Sequence, residues 1–584
     1  MWLLRLVCWA ALGTGGADGV GRGFAVELHV GSCELCAHRH LHSARDAVRE
    51  FRDRQRRDGL RTAGAVRVTL HEGTYPPLEL DPALDSGLPD SPTEYVGHNL
   101  DGESPPVVSA GVEVPKDLWK PTTANPGVVL ADLKAVGFTA HDLGRLPDNG
   151  NARGEAAWIE PYNSVWWGTI CEQRNASNQK AMLFHQGAVG SVGTHLSRYP
   201  NIDQKTGRWS WLHGVGPTTT RRPDSSGKSG AVGLEINAND SARVLGWVQN
   251  EEAPYLHGYW VADWEDTVAR IDKGNESLDH PAVYWAAGAD GPQPGHSPRY
   301  IGFNLLSELD AKNEYFISAA GAVHFLPKVP MSEWLESPVV SMNATAVLMD
   351  GVQHVVLSGM RVAYSKSTGI SALNVTGVTI SNCTVHSHGG FGIDMRGAAE
   401  AQILNSTVFD TGCTGVQAHC GEMSTMTSGN CVISGNTVTQ MGQYKRTYQP
   451  GIHWAGVDNN YTLNVVHNGP HACISGGGND APTDVGGVGN LFEGNTLDDC
   501  GYETSDIGAF YTCGQQATAW VNPGNILRQN TFRNIRNTGS HGVQPIWVNA
   551  VVSSCIRLHA ACWLLVADRS PEVETFLLAC FKAT

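Results

Sequence analysis

Charge is scarce in this sequence. Only 17% of its 584 residues are Asp, Glu, Lys or Arg, and 57 acidic side chains outnumber 41 basic ones for a formal net charge of −16. No Lys/Arg-rich block lies beside aromatics, so the electrostatic footprint of a nucleic-acid partner is missing. Total charge leaves room for a local basic patch facing an anionic polysaccharide. No apolar run reaches the roughly 20 residues of a membrane span. Cys33 and Cys36 form a CxxC with no second pair after it. A four-ligand zinc site is therefore not expected, and a small local disulfide or two free thiols is the plain reading. Neither a metal nor a cofactor is expected.

Glycine is abundant, at 67 residues, which suits many short strands and tight turns and argues against coiled coils and disorder. The length exceeds what one compact core usually holds, so two domains or one long solenoid are expected. The start, MWLLRLVCWAALGTGGADG, reads as a signal peptide over residues 1–17 with a cut near Ala17. Eight N-x-S/T sequons, at Asn175, Asn239, Asn275, Asn343, Asn374, Asn382, Asn405 and Asn460, and 14 cysteines fit export to an oxidising compartment. The expectation is an extracellular monomer.

Residues 41–58 place Leu41, Ala44, Val48 and Phe51 at helical spacing, and VRVTL (66–70) follows as a strand. A helix feeding a first strand caps a solenoid, so residues 24–114 are assigned to a cap and first coils. From 115 to 335 the character changes. This stretch holds 11 of the 17 tryptophans, among them Trp166, Trp167, Trp209, Trp211, Trp260 and Trp264, and has no fixed repeat. It reads as an inserted all-β domain of sandwich type. Most of its tryptophans are expected in the core, although the residue type can stack on sugars.

After residue 350 seven segments resemble one another: VVLSGMRV (355–362), VTISNCTV (378–385), AQILNSTV (401–408), CVISGNTV (431–438), YTLNVVH (461–467), NLFEGNTL (490–497) and NILRQNTF (525–532). One position reads Met360, Cys383, Ser406, Asn436, Asn464, Asn495 and Asn530, with spacings of 23, 23, 30, 28, 31 and 35 residues. A coil near 23 residues with longer insertions is the mark of a parallel β-helix, expected over 336–548. The recurrent Asn predicts an amide row at a bend, each side chain bonding its neighbour one coil away. A second strand set, including FGIDMRG (391–397), TGVQAHC (414–420) and PGIHWAG (450–456), should stack into one sheet. Alternation sends Ile393, Val416 and Ile452 inward, and Asp394, Gln417 and His453 outward. The fold class is thus all-β: a right-handed parallel β-helix of the pectin-lyase type with an inserted β-sandwich-like domain.

With these motifs in view, roughly residues 24–548 resemble glycoside hydrolase family 141. The likeness rests on ARDAVR (44–49), HEGTY (71–75), DSG (85–87), SPTEY (91–95), VVSAG (107–111), SRYPN (197–201), LHGYWVADWED (256–266), RYIGFNLLSELDAKNEYF (299–316), TYQPGI (447–452), GPHACISGGGND (469–480) and YETSDIGAFYTCG (502–514). It implies a fucosidase- or xylanase-like glycosidase using two aspartates. The first falls on Asp506, with Glu503 close by. The second belongs near Ile546, where Asn549 and Ala550 stand in place of the acidic pair. The tail, 549–584, shows neither the Asn repeat nor the turn rhythm, which reads as a truncated or wrongly predicted end, with a true divergent cap as the alternative.

Glycoside hydrolysis needs two carboxyl groups across the scissile bond, one able to hold a proton and one charged. Asp506 is the first catalytic candidate and Glu503 the second; for Asp506 the plain alternative is a turn-capping Asp. His453, His471, Tyr511 and Asp394 are candidates for binding substrate. For His471 the alternative is a turn histidine after Gly-Pro, and for Asp394 a solvated strand residue. Trp454 should alternate into the core. The expected partner is a polysaccharide. The competing reading is a non-catalytic glycan-binding or adhesive β-helix. No NTD, DD and GHG set of polygalacturonase type is present, and no acidic cluster of calcium-lyase type stands out.

Overall fold

The computed structural model describes residues 26–548 except 34–35, 58–64, 99–103, 124, 145, 147–179, 186–191, 219–221, 224–228, 273–281, 286–293, 478–485, 513–523 and 537–541, together with 556–558. Short strands stack in parallel on three faces of a right-handed β-helix. The first face runs from Val26–Val30 through Val66–Leu70 and Thr93–Gly97, then from Val355–Ser358 to Asn525–Arg528 and Ile556–Leu558. Its last strand lies inside the 549–584 stretch that the sequence pattern sets apart, so coil pairing reaches into that stretch. The second face begins at Thr74–Tyr75 and Val107–Ser109 and ends at Thr531–Arg533. The third runs from Leu78–Leu80 and Thr345–Asp350 to Ile507–Thr512 and Val543–Val548.

Period-2 alternation explains the core. On the third face Val347, Ile370, Ile393, Val416, Ile452, Ile474 and Phe510 are register partners, and all are buried. As the coils lengthen, the fillers grow. Tyr461 stacks on Phe492 with centroids 4.9 Å apart, and the fully buried Trp454 meets Phe492 edge-on at 4.9 Å. The cap helix, Leu41–Arg57, lays Leu41, Ala44 and Val48 on the same core.

The corners carry the polar bookkeeping. Between first and second faces, Asn436, Asn464, Asn495 and Asn530 form one row. Each Nδ2 gives a hydrogen bond to the next Oδ1 at 2.9–3.0 Å, and each Oδ1 also takes the backbone N–H of the Asn before it. The residue before each row member is left-handed: Asn382, Asn405, Gly435, Leu463, Gly494 and Gln529 all have positive φ. That conformation bends the chain sharply between the two strands. A second row, Asn459, Asn490 and Asn525, repeats the pattern at the corner between third and first faces, with Nδ2 to Oδ1 distances of 3.0 Å. The repeat alignment does not single out this row.

The chain leaves the coils after Val107–Ser109 and returns at Thr345–Asp350, so everything between is threaded into one corner between second and third faces. An antiparallel neck, Gly111–Glu113 with Val339–Ser341, closes the base. The expectation of a single all-β sandwich is corrected here. Among the described residues the segment has two main cores and a small third cluster of Val128, Leu309 and Leu326, and the second core is built around a ten-residue helix, Ser241–Asn250, whose Val244, Trp247 and Val248 are buried against the strands. The helix forms because Val244, Trp247 and Val248 share one face at spacings of three and four. The Trp247 indole donates to Glu308 at 2.7 Å, and the ring leaves no room beside Gly302, where a Cβ would lie 2.4 Å from it.

Candidate functional site

The corner between second and third faces faces the insertion, and two buried carboxylates tie them together. Asp266, at the start of the insertion strand Asp266–Arg270, reaches the loop before Ile452–Val457. Its oxygens take Lys445 Nζ at 2.6 Å, the Arg446 N–H at 2.9 Å and the Thr447 N–H at 3.0 Å, while His257 Nε2 lies at 2.6 Å. Burial opposes its charge, yet Lys445 and His257 hold its carboxyl well below the ordinary range. Glu503 answers from the coil side. The fully buried Arg446 grips it bidentately, Nε to Oε1 at 2.9 Å and Nη2 to Oε2 at 2.6 Å, and Tyr259 of the insertion donates to Oε1 at 2.9 Å. Arg299 adds a bond to the Glu503 carbonyl at 2.6 Å. Burial raises the Glu503 pKa and Arg446 outweighs it, so the carboxyl sits below its usual range. With both oxygens engaged in this way, Glu503 is a charged anchor and a poor proton donor.

Asp506 is three residues on, heading the strand Ile507–Thr512. It is half-buried and left-handed, with φ of 61°, a conformation that Asp tolerates better than most residues. Its N–H bonds Gly542 at 2.8 Å, while among the described residues no hydrogen bond or ion pair to its carboxylate is found. His471 stands one coil below, fully buried, with Nδ1 2.8 Å from Thr504 Oγ1 and the ring against Tyr448. Burial brings its pKa down to about 3, so it is neutral; its Nε2 has no partner among the described residues.

The outward row of the third face is as the alternation predicts. Ser371, Asp394, Gln417, His453, Ser475 and Tyr511 are register partners on successive strands. Tyr511 is buried against Ala472, Ile507 and Val543. His453 is occupied by its neighbour: its Nδ1 is 2.7 Å from His419 Nε2, and burial lowers its pKa to about 4. Asp394 is buried and takes Arg396 Nη2 at 2.6 Å, leaving Oδ1 without a partner among the described residues. Four strand steps of about 4.8 Å put it about 19 Å from Tyr511 along the stack. Asp394 is thus far outside the roughly 5–9.5 Å carboxyl separation that glycoside hydrolysis uses with a group at Asp506. The six sequence candidates fall into two groups: Glu503, Asp506, His471 and Tyr511 at the corner coils, and Asp394 with His453 farther along the row.

Arg446, Lys445, Asp266 and Tyr259 carry no role in the sequence reading. The strings LHGYWVADWED and YKRTYQPGI contain them, but pairs 57 and 179 residues apart have no local signature. Two guanidinium groups, those of Arg198 and Arg446, lie 3.9 and 4.3 Å from the Trp209 ring, which ties this tryptophan to the clamp. Asn549 and Ala550, Trp166 and Trp167 lie outside the described residues. Among described residues, no helix is long and apolar enough to cross a membrane.

The family description "right handed beta helix region" matches residues 336–482. No curated protein matches the sequence at a significant level. A solved structure named as a glycoside hydrolase is similar with TM-score 0.60 and 14% identity, over 94% of this chain and 97% of that one. Partial likenesses include the A-module of a mannuronan C-5 epimerase from Azotobacter vinelandii (TM-score 0.24, 11% identity, 36% of this chain and 64% of that one) and the Dettilon tailspike protein (0.26, 16%, 38% and 43%). At such identities the similarity speaks to the fold.

Proposed function

We propose that this chain is a secreted, glycoside-hydrolase-like protein that takes a complex polysaccharide, with fucosyl or xylosyl glycans as the substrate class, at the corner bearing Asp506. The observation that carries this reading is the contrast between neighbours. Glu503 is locked in a buried ion pair, whereas Asp506 is half-exposed and has no side-chain partner among the described residues. A carboxylate of that kind, held on a rigid corner, suits one half of a glycosidase pair. In this reading Glu503 positions the corner and Asp506 meets the sugar. The resemblance to family 141 puts the second carboxylate where Asn549 stands. An amide neither donates a proton as an acid does nor acts as base or nucleophile, so the chain with Asn549 holds glycan and cleaves it slowly. That same residue supports the second reading, a non-catalytic glycan binder. Export is supported by the signal-like start and by exposed sequon asparagines at Asn239, Asn343, Asn374, Asn382 and Asn405.

The test is a panel of plant and algal polysaccharides, scored for binding by affinity electrophoresis and for new reducing ends. Binding to fucosylated or xylosylated members with weak turnover that Asp506→Asn removes is the expected result. Binding with turnover absent both before and after the substitution selects the second reading. No binding to any member rejects both.

A further inference from the structure

At the opposite end of the stack, the first coil brings a CxxC pair beside a histidine far along the sequence. The Cys36 N–H bonds the Cys33 carbonyl at 3.1 Å, and the two sulfurs are joined as a disulfide. His71 follows the next strand of the first face, its N–H bonded to Val30 at 2.9 Å. Ligand atoms of Cys33, Cys36 and His71 all lie within 4.8 Å of one another, and all three residues are half-buried. The contact is built tightly. Gly31 has φ of 136°, and a Cβ there would sit 3.1 Å from the His71 Cβ and 3.0 Å from the Tyr75 hydroxyl. A second imidazole, His29, holds Nδ1 3.0 Å from His71 Nε2, and His98 packs on the other side with ring centroids 4.3 Å apart.

Two sulfurs and one imidazole are a donor set for a thiophilic cation, whose tetrahedral ligands lie roughly 3.5–4 Å apart given metal–sulfur bonds near 2.3 Å. A metal-bound imidazole commonly engages its other nitrogen in a hydrogen bond, the role His29 fills. The sequence motif has one CxxC; the fold adds the third ligand from 35 residues downstream. We infer that Cys33, Cys36 and His71 form a redox-gated site for a cation of the zinc class. The site is closed while the sulfurs are joined and opens when a dithiol reductant separates them. Reduction delivers two electrons and two protons, breaking the S–S bond to give two thiols as the reductant's own pair becomes a disulfide. Metal binding then expels both thiol protons and forms two metal–sulfur bonds and one metal–nitrogen bond, leaving one position for solvent. The other described disulfides, Cys420–Cys431 and Cys473–Cys500, are fully buried, so a reductant reaches Cys33–Cys36 first. This inference is independent of any glycan reading.

The experiment uses the full chain, mildly reduced with a dithiol and desalted without oxygen, then titrated with Co²⁺. The expected result is one equivalent bound, with thiolate-to-cobalt charge transfer in the near ultraviolet and visible bands of tetrahedral cobalt, displaced by Zn²⁺. Untreated protein shows neither signal. His71→Ala weakens binding at least about tenfold and changes the visible bands. Cys33→Ser/Cys36→Ser abolishes the charge transfer with an unchanged far-ultraviolet circular dichroism spectrum. Absence of charge transfer in reduced wild-type protein overturns the proposal. So does its persistence in the double serine variant, or an unaltered titration in His71→Ala.

Discussion

In the coil stack each buried asparagine of a row finds its partner one coil away, whereas in the insertion buried polar groups find partners scattered along the chain. Asn464 bonds Asn495, 31 residues on, and Asn490 bonds Asn525, 35 on. Glu308 of the insertion instead meets Arg243 and Trp247 on the helix, and Glu314 takes the N–H groups of Asp310, Ala311 and Arg198. A solenoid makes its contacts by repetition, so one coil predicts the next. The insertion makes each contact once. The junction between them is again unrepeated, and it holds two buried carboxylates with the cations that pair them.

The largest effect is expected at the junction. Arg446→Leu leaves Glu503 buried without its cation, which typically costs about 3–5 kcal/mol. Calorimetry is expected to show the melting temperature falling by more than for any ladder substitution, and equality with a surface substitution would refute the clamp. Next comes the row itself. Asn464→Ala removes the acceptor of two Asn436 bonds at 3.0 and 3.1 Å and the donor to Ile433. With each orphaned group worth about 1–3 kcal/mol, the loss is expected near 2–4 kcal/mol. Asn530→Ala, at the last described rung, loses the same two accepted bonds and one carbonyl bond but not a bond to a further rung such as Asn464 gives Asn495, so it should lose less; equal losses in denaturant titrations would mean that the row does not act rung by rung.

Acid tests both regions together. Burial lowers His388 and His471 in the coils to about 3 and His195 in the insertion to about 4, from an ordinary 6.5. The unfolded chain takes up protons below about 6.5 while the folded chain refuses them. The stability they allow is therefore full above about pH 6.5 and is lost as pH falls toward the folded values, by up to about 1.4 kcal/mol per pH unit for each imidazole. Melting temperatures recorded from pH 7 to 5 should fall, and His388→Gln should flatten the slope; an unchanged slope would show that this imidazole is not the one resisting its proton. The smallest effect belongs to the insertion core. Gly302→Ala forces a methyl against the Trp247 ring and is expected to cost about 1–3 kcal/mol, read as a shift in denaturant midpoint.

The same contrast explains what the sequence makes legible. Strand alternation and the recurrent Asn suffice to place Ile393, Val416 and Ile452 in the coil core, Asp394, Gln417 and His453 on the strand's other side, where Asp394 and Gln417 are nevertheless buried, and four asparagines in one row. The second row, at Asn459, Asn490 and Asn525, has the same 31- and 35-residue spacing but sits just ahead of apolar strands whose own pattern dominates the alignment. For the insertion, counting tryptophans finds a compositional boundary without revealing its separate cores or the helix carrying Trp247. At the site, residue type suggests both Glu503 and Asp506. Only the three-dimensional pairing with Arg446 separates an anchored carboxylate from an unpartnered one, and only strand register removes Asp394 from the same centre.

In the proposed function Asp506 is one carboxylate of a glycosidase pair whose other member is replaced by Asn549. Its most direct test is the rate of reducing-end release from a fucosylated or xylosylated polysaccharide by Asn549→Asp, with and without Asp506→Asn. Asn549→Asp is expected to raise the rate by about 10³-fold or more, and adding Asp506→Asn to return it to background. A rate that Asn549→Asp leaves unchanged, or a gain that survives Asp506→Asn, would contradict it.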